Sequence, residues 1–262
     1  MPSQPSDAQQ GTVNALLASA GRSTNSVPLR TTFVQQGSQR HPRPGPLHHL
    51  VRAHDERALD LFLLHRALAS SEPWDVTRDS RVWARTLGLP TPKDTGAAGV
   101  SKTWARLDTK YHLVRRGRRG RTAAITALSE DGSGDAYTHP ARRYFRLPFA
   151  YWTADEGWYV RLDLASKAVL LIAHSLRPPF ILPTEKASPW YGLSTDTVER
   201  GLRSLRESGL LLRETRFRPD WLTPAGVKKE FTYTLQPPFA RAQHTGTPED
   251  DQDQPEAEQE TT

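Results

Sequence analysis

Five arginines fall within the seven residues Arg115, Arg116, Gly117, Arg118, Arg119, Gly120 and Arg121. Like charges set this close repel one another, so local stability does not explain the run. A guanidinium presents a planar fork of donors that fits a phosphate or the edge of a guanine, which makes a polyanion the natural counterpart. Both glycines permit a tight turn at positive φ, so the run reads as a hairpin whose arginines enter a narrow minor groove or neutralise phosphates. A solubilising loop inflated by arginine-rich codon usage is the competing reading, because only seven of the 35 basic residues are lysine. Nothing of similar density supports catalysis. Among nine histidines there is no H-E-x-x-H pair, and His48 and His49 are adjacent instead of spaced for a metal. Neither a Walker A loop nor a Ser/His/Asp set emerges, and the absence of cysteine removes thiol chemistry, disulfides and Cys-type zinc sites. The expectation is a protein without catalytic residues, metal or cofactor.

Charge is distributed unevenly along the chain. Residues 244 to 262 carry seven acids (Glu249, Asp250, Asp251, Asp253, Glu256, Glu258, Glu260) and no Lys or Arg; setting them aside from the net +6 leaves +13 on residues 1 to 243. A body this basic attracts nucleic acid. The longest apolar run, Ala168 to Ala173, is far shorter than the roughly 20 residues that span a bilayer. The apolar patch from Val13 to Ala20 lacks the basic flank of a signal peptide. These features predict a cytoplasmic, nucleoid-associated protein with no membrane partner.

Turn-forming and low-complexity stretches divide the 262 residues. Residues 1 to 46, rich in Ser, Gln, Gly and Pro, read as a disordered N-terminal arm, and 239 to 262 as a disordered acidic tail. Residues 129 to 143 read as a linker between a domain at 47 to 128 and a second at 144 to 238. In the first domain Asp55 starts a helix with Ala58, Leu61, Phe62, Leu64 and Leu68 on one stripe, Ser80 caps a shorter helix, and Val100, Trp104, Leu107 and Tyr111 mark a third. Leu113-Val114, the basic turn and Thr122 to Leu128 then predict strand, turn, strand. In the second domain Asp163 and Ser194 are helix caps, Thr184 to Tyr191 is a brief helix, and Leu210 to Arg213 pairs with Phe231 to Leu235 across a Pro-containing loop. Aromatic residues crowd Tyr144 to Tyr159; they read as core in preference to a stacking platform for single strands.

The order helix, helix, helix, strand, turn, strand occurs twice. Ser194-Thr195-Asp196-Thr197-Val198-Glu199-Arg200-Gly201-Leu202, followed by Leu205, Gly209, Leu210 and Leu211, resembles the recognition helix and following strand of GntR-type winged-helix regulators. Val100-Ser101-Lys102, Arg106-Leu107, Leu113-Val114-Arg115 and the Gly-Arg wing resemble a looser, MarR-like version, with Tyr111-His112 where the usual Glu-Gly pair would stand. The resemblance implies a mainly α fold with small β wings (α+β): two tandem winged helix-turn-helix domains with disordered termini.

A recognition helix packs one face on its domain and turns the other to base edges and phosphates in the major groove. With Val198, Leu202 and Leu205 inward, Thr195, Thr197, Arg200, Arg203 and Ser204 become the expected DNA contacts of the second domain. Ser101, Lys102, Thr103, Arg106 and Lys110 take that role in the first, joined by Arg115, Arg116, Arg118, Arg119 and Arg121 of the wing. The expected function is double-stranded DNA binding by a transcriptional regulator. A plasmid or phage replication initiator of tandem winged-helix type is the alternative, and a winged-helix interaction module that does not bind DNA is another. The chain reads adjacent half-sites as an internal pseudo-dimer or as a homodimer, with transcription or replication machinery as further partners. The acidic tail either keeps the protein soluble or folds back on the basic faces and competes with phosphate.

Overall fold

A computed structural model describes residues 4–38, 40–89, 95–153, 157–222, 224 and 226–240. It is a mixed α+β structure with small sheets, in which one arrangement of elements occurs twice. The first unit comprises α3 (Glu56–Leu68), β4 (Asp75–Thr77), α4 (Ser80–Thr86), α5 (Thr95–Thr109), β5 (Val114–Arg119) and β6 (Thr122–Ala127). Its three strands are antiparallel in the order β4-β6-β5. The second unit comprises α8 (Leu164–Ser175), a 3₁₀ turn (Thr184–Lys186) leading into α9 (Ala187–Tyr191), α10 (Thr195–Glu207), β8 (Leu211–Pro219) and β9 (Val227–Leu235). There the lone first strand shrinks to one antiparallel bridge, Phe180 to Tyr233, made like β4 on the second strand of the hairpin.

Local chemistry sets most of these boundaries. Asp55 accepts a hydrogen bond from the Ala58 N–H at the start of α3, Asp163 from Ser166 at α8, and Ser194 from Thr197 at α10. At α4 the capping side chain is Asp79, one residue ahead of the expected Ser80, and it accepts from the Arg81 N–H. Both third helices end on a left-handed residue before the hairpin: His112 at φ 52 in the first unit, Gly209 at φ 72 in the second. The Leu113 N–H then bonds to the Leu107 carbonyl, as Leu210 does to Leu205. His112 therefore fills the conformational role of the glycine that the first unit lacks.

Residues 4–38 and 40–46 are built into the fold, contrary to the reading of 1 to 46 as a disordered arm. Ser6 caps α1 (Asp7–Ser19), which buries Val13, Leu16 and Leu17 and packs on α3, α4 and α6 (Ala150–Thr153). Its Gln9 donates to the Thr86 carbonyl of the first unit at 2.9 Å, and Gln10 donates to the Trp152 carbonyl at 2.7 Å. Next comes β1 (Ser26–Arg30), antiparallel to β7 (Tyr144–Pro148), with buried Val27 opposite Leu147 and Leu29 opposite Phe145. Pro28 is admissible because this sheet has only two strands, which leaves one edge of β1 without a partner. A small hairpin, β2 (Gln35–Gly37) with β3 (Pro42–Pro44), leads into α2 (Leu47–Arg52). The short α7 (Trp158–Arg161) completes the set.

The expected linker is likewise packed. Glu130 is fully buried, takes Arg30 at 2.5 Å and lies 3.6 Å from the buried Arg66. The Arg66 guanidinium sits 3.6 Å from the centroid of the Tyr137 ring, and Leu128 bridges to Ala136. At the far end Phe239, assigned to the tail by sequence, is core, with its ring beside Tyr151, Trp158 and His174. Residues 241–262 of the acidic tail lie outside the described residues. Phe145, Tyr151, Trp152, Trp158 and Tyr159 are buried, as the core reading of the aromatic cluster anticipates. Buried residues of both units belong to one continuous apolar core.

A charge cluster crosses between the units. Lys167 of α8 is buried, and its Nζ meets both Asp60 carboxylate oxygens at 2.8 and 2.9 Å and Glu56 Oε1 at 2.8 Å, both acids being on α3. Burial alone would neutralise this amine, but the two carboxylates outweigh it and raise its pKa. Burial pushes Asp60 up to about 6 against the pull of Lys167. Lys167→Met is expected to destabilise by about 3 kcal/mol because it removes the buried cation that pairs with the half-buried Asp60 carboxylate, and adding Asp60→Leu is expected to recover most of that loss. Urea unfolding of the two variants measures both effects.

His65, also buried, bonds through Nε2 to the Ile125 carbonyl at 2.8 Å, and burial pushes its pKa down to about 3. Below about pH 6.5 the unfolded chain takes up a proton that this folded site refuses, so His65 subtracts stability as pH falls through that window. Between pH 6.5 and 5 wild type should lose about 1.6 kcal/mol relative to His65→Gln, the slope rising toward roughly 1.4 kcal/mol per pH unit as the unfolded imidazole becomes fully protonated. Parallel stability curves for the two proteins would contradict the assignment.

Candidate nucleic-acid interface

Two surfaces carry the residues singled out by sequence: the outer face of α5 with the β5–β6 hairpin, and the outer face of α10 with the β8–β9 hairpin. On α5 the apolar side is Val100, Trp104 and Leu107, all buried, with Trp104 edge-on to Trp83 of α4 at 5.2 Å. Lys102 and Lys110 are exposed, the latter with its ammonium 5.2 Å from the Tyr111 ring centroid. Ser101 is half-buried and accepts a hydrogen bond from Arg116 Nη2 at 2.8 Å, while the Arg116 N–H donates to Asp108. The hairpin is thereby fastened along the outer side of α5.

Two of the five α5 candidates turn away from solvent or are held elsewhere. Thr103 is fully buried, and its hydroxyl donates to the Gly99 carbonyl at 2.9 Å. A small β-hydroxyl can bury itself in this way because the carbonyl one turn back satisfies it. Arg106 makes a bidentate pair with Asp55, Nε to Oδ2 at 2.6 Å and Nη2 to Oδ1 at 2.8 Å, and Tyr111 donates to the same carboxylate at 3.2 Å. Burial pushes the Asp55 carboxyl up, but the hydrogen bond and charge of Arg106, with help from Tyr111 and the Ala58 N–H, hold it below the ordinary range. Asp55 caps α3, so Arg106 is a positioning residue that ties α5 to α3. Both are corrections to the sequence reading.

The arginine hairpin is exposed along its length. Its turn is Gly120-Arg121, with Gly120 at φ +62; Gly117 lies within β5 opposite Ala124, so only one of the two glycines does the turning expected of both. Pairing sets Arg116 opposite buried Ile125 and Arg118 opposite Ala123, on the face that reaches α5. Arg115 and Arg119 occupy the other face, where Arg119 lies 3.2 Å from Asp75. Among the described residues Arg115, Arg118 and Arg121 make no ion pair.

On α10 the division is sharper. Val198, Gly201, Leu202 and Leu205 are buried, while Thr195, Arg200 and Arg203 are exposed and Thr197 and Ser204 half-buried. The Thr197 hydroxyl lies 2.8 Å from Ser194 Oγ, and Thr195 Oγ1 is 3.4 Å from the Thr184 carbonyl. Arg200 is 3.7 Å from Asp196 and 3.9 Å from Asp163, loose surface pairs of little energetic weight. Gly201 lets α10 settle against α8, since a Cβ there would stand 2.6 Å from Val169 Cγ2 and 2.7 Å from the Ala165 carbonyl oxygen.

Sequence reasoning undervalued the second hairpin. β8 and β9 are nine residues each, and their ladder runs from Leu211–Leu235 out to Pro219–Val227. Arg213, Arg216, Arg218, Lys228 and Lys229 are exposed along it, with Glu214 exposed and Glu230 half-buried. The signal is available in the alternation of Thr215-Arg216-Phe217-Arg218 and Val227-Lys228-Lys229-Glu230, whereas the sequence reading has a Pro-containing loop around Trp221 and Pro224 between the two short strands.

Comparison with protein-family models, with curated proteins and with solved structures returns no match to this chain. Among the described residues no helix is long and apolar enough to cross a membrane.

Gly201→Ala is expected to push α10 from α8 and cost about 1–3 kcal/mol, the usual penalty for overpacking. Thermal unfolding would register that loss, and a neutral substitution would mean that α10 is not seated this closely.

Proposed function

We propose that the chain is a double-stranded DNA-binding protein made of two winged-helix units, acting as a transcriptional regulator. In this reading α5 and α10 are the recognition helices and the β5–β6 and β8–β9 hairpins are the wings. One observation carries it: helix, helix, helix and hairpin occur twice, and the segment after the first helix pairs antiparallel with the second hairpin strand each time, as the strand β4 in the first unit and as the single bridge Phe180–Tyr233 in the second. Each repeat presents a third helix with one apolar face buried and cations on the other, and each hairpin beside it is basic. Such a helix fits the major groove, and arginines on an adjoining hairpin suit phosphates or a narrow minor groove.

The residues proposed to meet DNA are Ser101 and Lys102 on α5 and Lys110 just past its end, Thr195, Thr197, Arg200, Arg203 and Ser204 on α10, and Arg115, Arg116, Arg118, Arg119 and Arg121 on the first wing. Thr103 and Arg106 leave this set for the reasons given above. The side chains of Arg116 and Arg119 each have a protein partner to exchange for phosphate, so Arg115, Arg118 and Arg121 supply the core of the wing's electrostatic contribution.

Three phosphates neutralised by the wing correspond to a contribution of about −3 to the slope of log K against log salt. Replacing all five wing arginines with alanine should weaken binding to every duplex and flatten the slope by about that amount. Electrophoretic retention of genomic fragments at several salt concentrations tests this, and an unchanged slope would remove the wing from the interface. Sequencing the retained fragments tests the role: promoter regions are expected, whereas clustered repeats would move the assignment to replication initiation.

A further inference from the structure

The outer end of the β8–β9 hairpin combines two features that a solvent-facing turn does not require. The first is exposed apolar surface: Trp221 and Leu222 are 87% and 97% exposed and Phe217 68%, with Val227 also exposed. Register places Phe217 and Val227 on the ladder face of Tyr233 and Phe231, so the apolar stripe that begins in the core continues to the tip. Two hydrogen bonds join described residues of the tip. Asp220 N–H donates to the Gly226 carbonyl at 2.9 Å, and Leu222 N–H donates to Asp220 Oδ1 at 3.1 Å.

The second feature is cationic crowding around that surface. Arg218 stands directly opposite Lys228 in the ladder and Lys229 opposite Phe217, while Arg216, one pair further in, stands opposite Glu230. Like charges directly opposite destabilise a strand pair, and an indole beside a leucine in water gains nothing from burial. Folding explains neither. Both are accounted for by a partner that offers apolar faces flanked by negative charge, and stacked bases between two phosphate strands are such a partner.

We propose that this tip is a wedge that enters the base stack of duplex DNA. Leu222 and Trp221 pry open a single base step, while Arg216, Arg218, Lys228 and Lys229 hold the phosphates on either side. Apolar wedges of this kind unstack a step and kink the duplex, at least cost at pyrimidine–purine steps. The inference rests on the DNA-binding reading and adds to it a deformation that groove contacts alone do not require.

The test uses the full chain, a duplex containing TpA steps, and permanganate, which oxidises thymines that have lost their stacking. Wild type should sensitise thymine at a TpA step. Trp221→Ala/Leu222→Ala should abolish that reactivity and weaken binding about tenfold, within the range for loss of a stacked base, while the salt slope stays unchanged. Arg218→Ala/Lys228→Ala should keep the reactivity at saturation and flatten the slope by about 2. Equal reactivity in wild type and the tip variant, or none in duplex bound by wild type, overturns the wedge and leaves DNA binding standing. A wild type that retains no duplex overturns both. Sedimentation provides the remaining outcome: if the tip variant dissolves a dimer formed by wild type, the surface pairs two copies of the chain and the wedge is wrong.

Discussion

The ammonium of Lys167, held between Asp60 and Glu56, is the contact on which the arrangement of the two units depends. It joins α8 to α3, the first helix of one unit to the first helix of the other, with the ammonium itself buried and the two carboxylates half-buried. Removing a cation from water is expensive, and the cost is met only while both carboxylates stay within hydrogen-bond reach. Small relative rotations of α3 and α8 would break that geometry before they broke apolar contacts, which tolerate sliding. The cluster thus specifies one orientation more sharply than area burial alone.

The N-terminal segment works to the same end. Through Gln9 and Gln10, α1 holds one carbonyl of the first unit and one of α6, and β1 pairs with β7 in the stretch of chain between the two units. Glu130 gathers Arg30 from β1 and Arg66 from α3, and Arg22 donates to the carbonyls of Arg66, Ala67 and Ala69 at the end of α3. Charged groups of three segments far apart in sequence converge at one junction, where the buried Arg66 guanidinium has the Tyr137 ring and an ion contact to Glu130 in place of a side-chain hydrogen bond. Under the proposed DNA-binding function, such bracing would lower the cost of ordering the two third helices on a duplex, because they are already fixed.

Much of the secondary structure was legible in the residues. The caps at Asp55, Asp163 and Ser194, the apolar spacing of Val198, Leu202 and Leu205, and the arginine hairpin all fall where local rules put them, because each depends on neighbours within one or two turns. The N-terminal elements were not legible: Val27 and Leu29 are too few to signal a strand, and Pro28 argues against one, until Phe145 and Leu147 supply the opposite face. The second hairpin was shortened for a similar reason, since Pro219 and Pro224 are punctuation in sequence but occupy the end of the ladder and the tip beyond it in space.

By itself the sequence determined the periodicity of the helices, the charge imbalance, the position of the arginine turn and the repeated order of elements. Tertiary structure decided which polar side chains remain available. Thr103 and Arg106 lie on the same helix as Ser101 and Lys102 and are no less polar. Thr103 turns inward, where the carbonyl of Gly99 satisfies its hydroxyl, and Asp55, some fifty residues away, claims the guanidinium of Arg106. Helical periodicity says which face a residue occupies, but a polar group on the boundary of that face goes wherever a partner satisfies it, and that partner is fixed only by the folded chain.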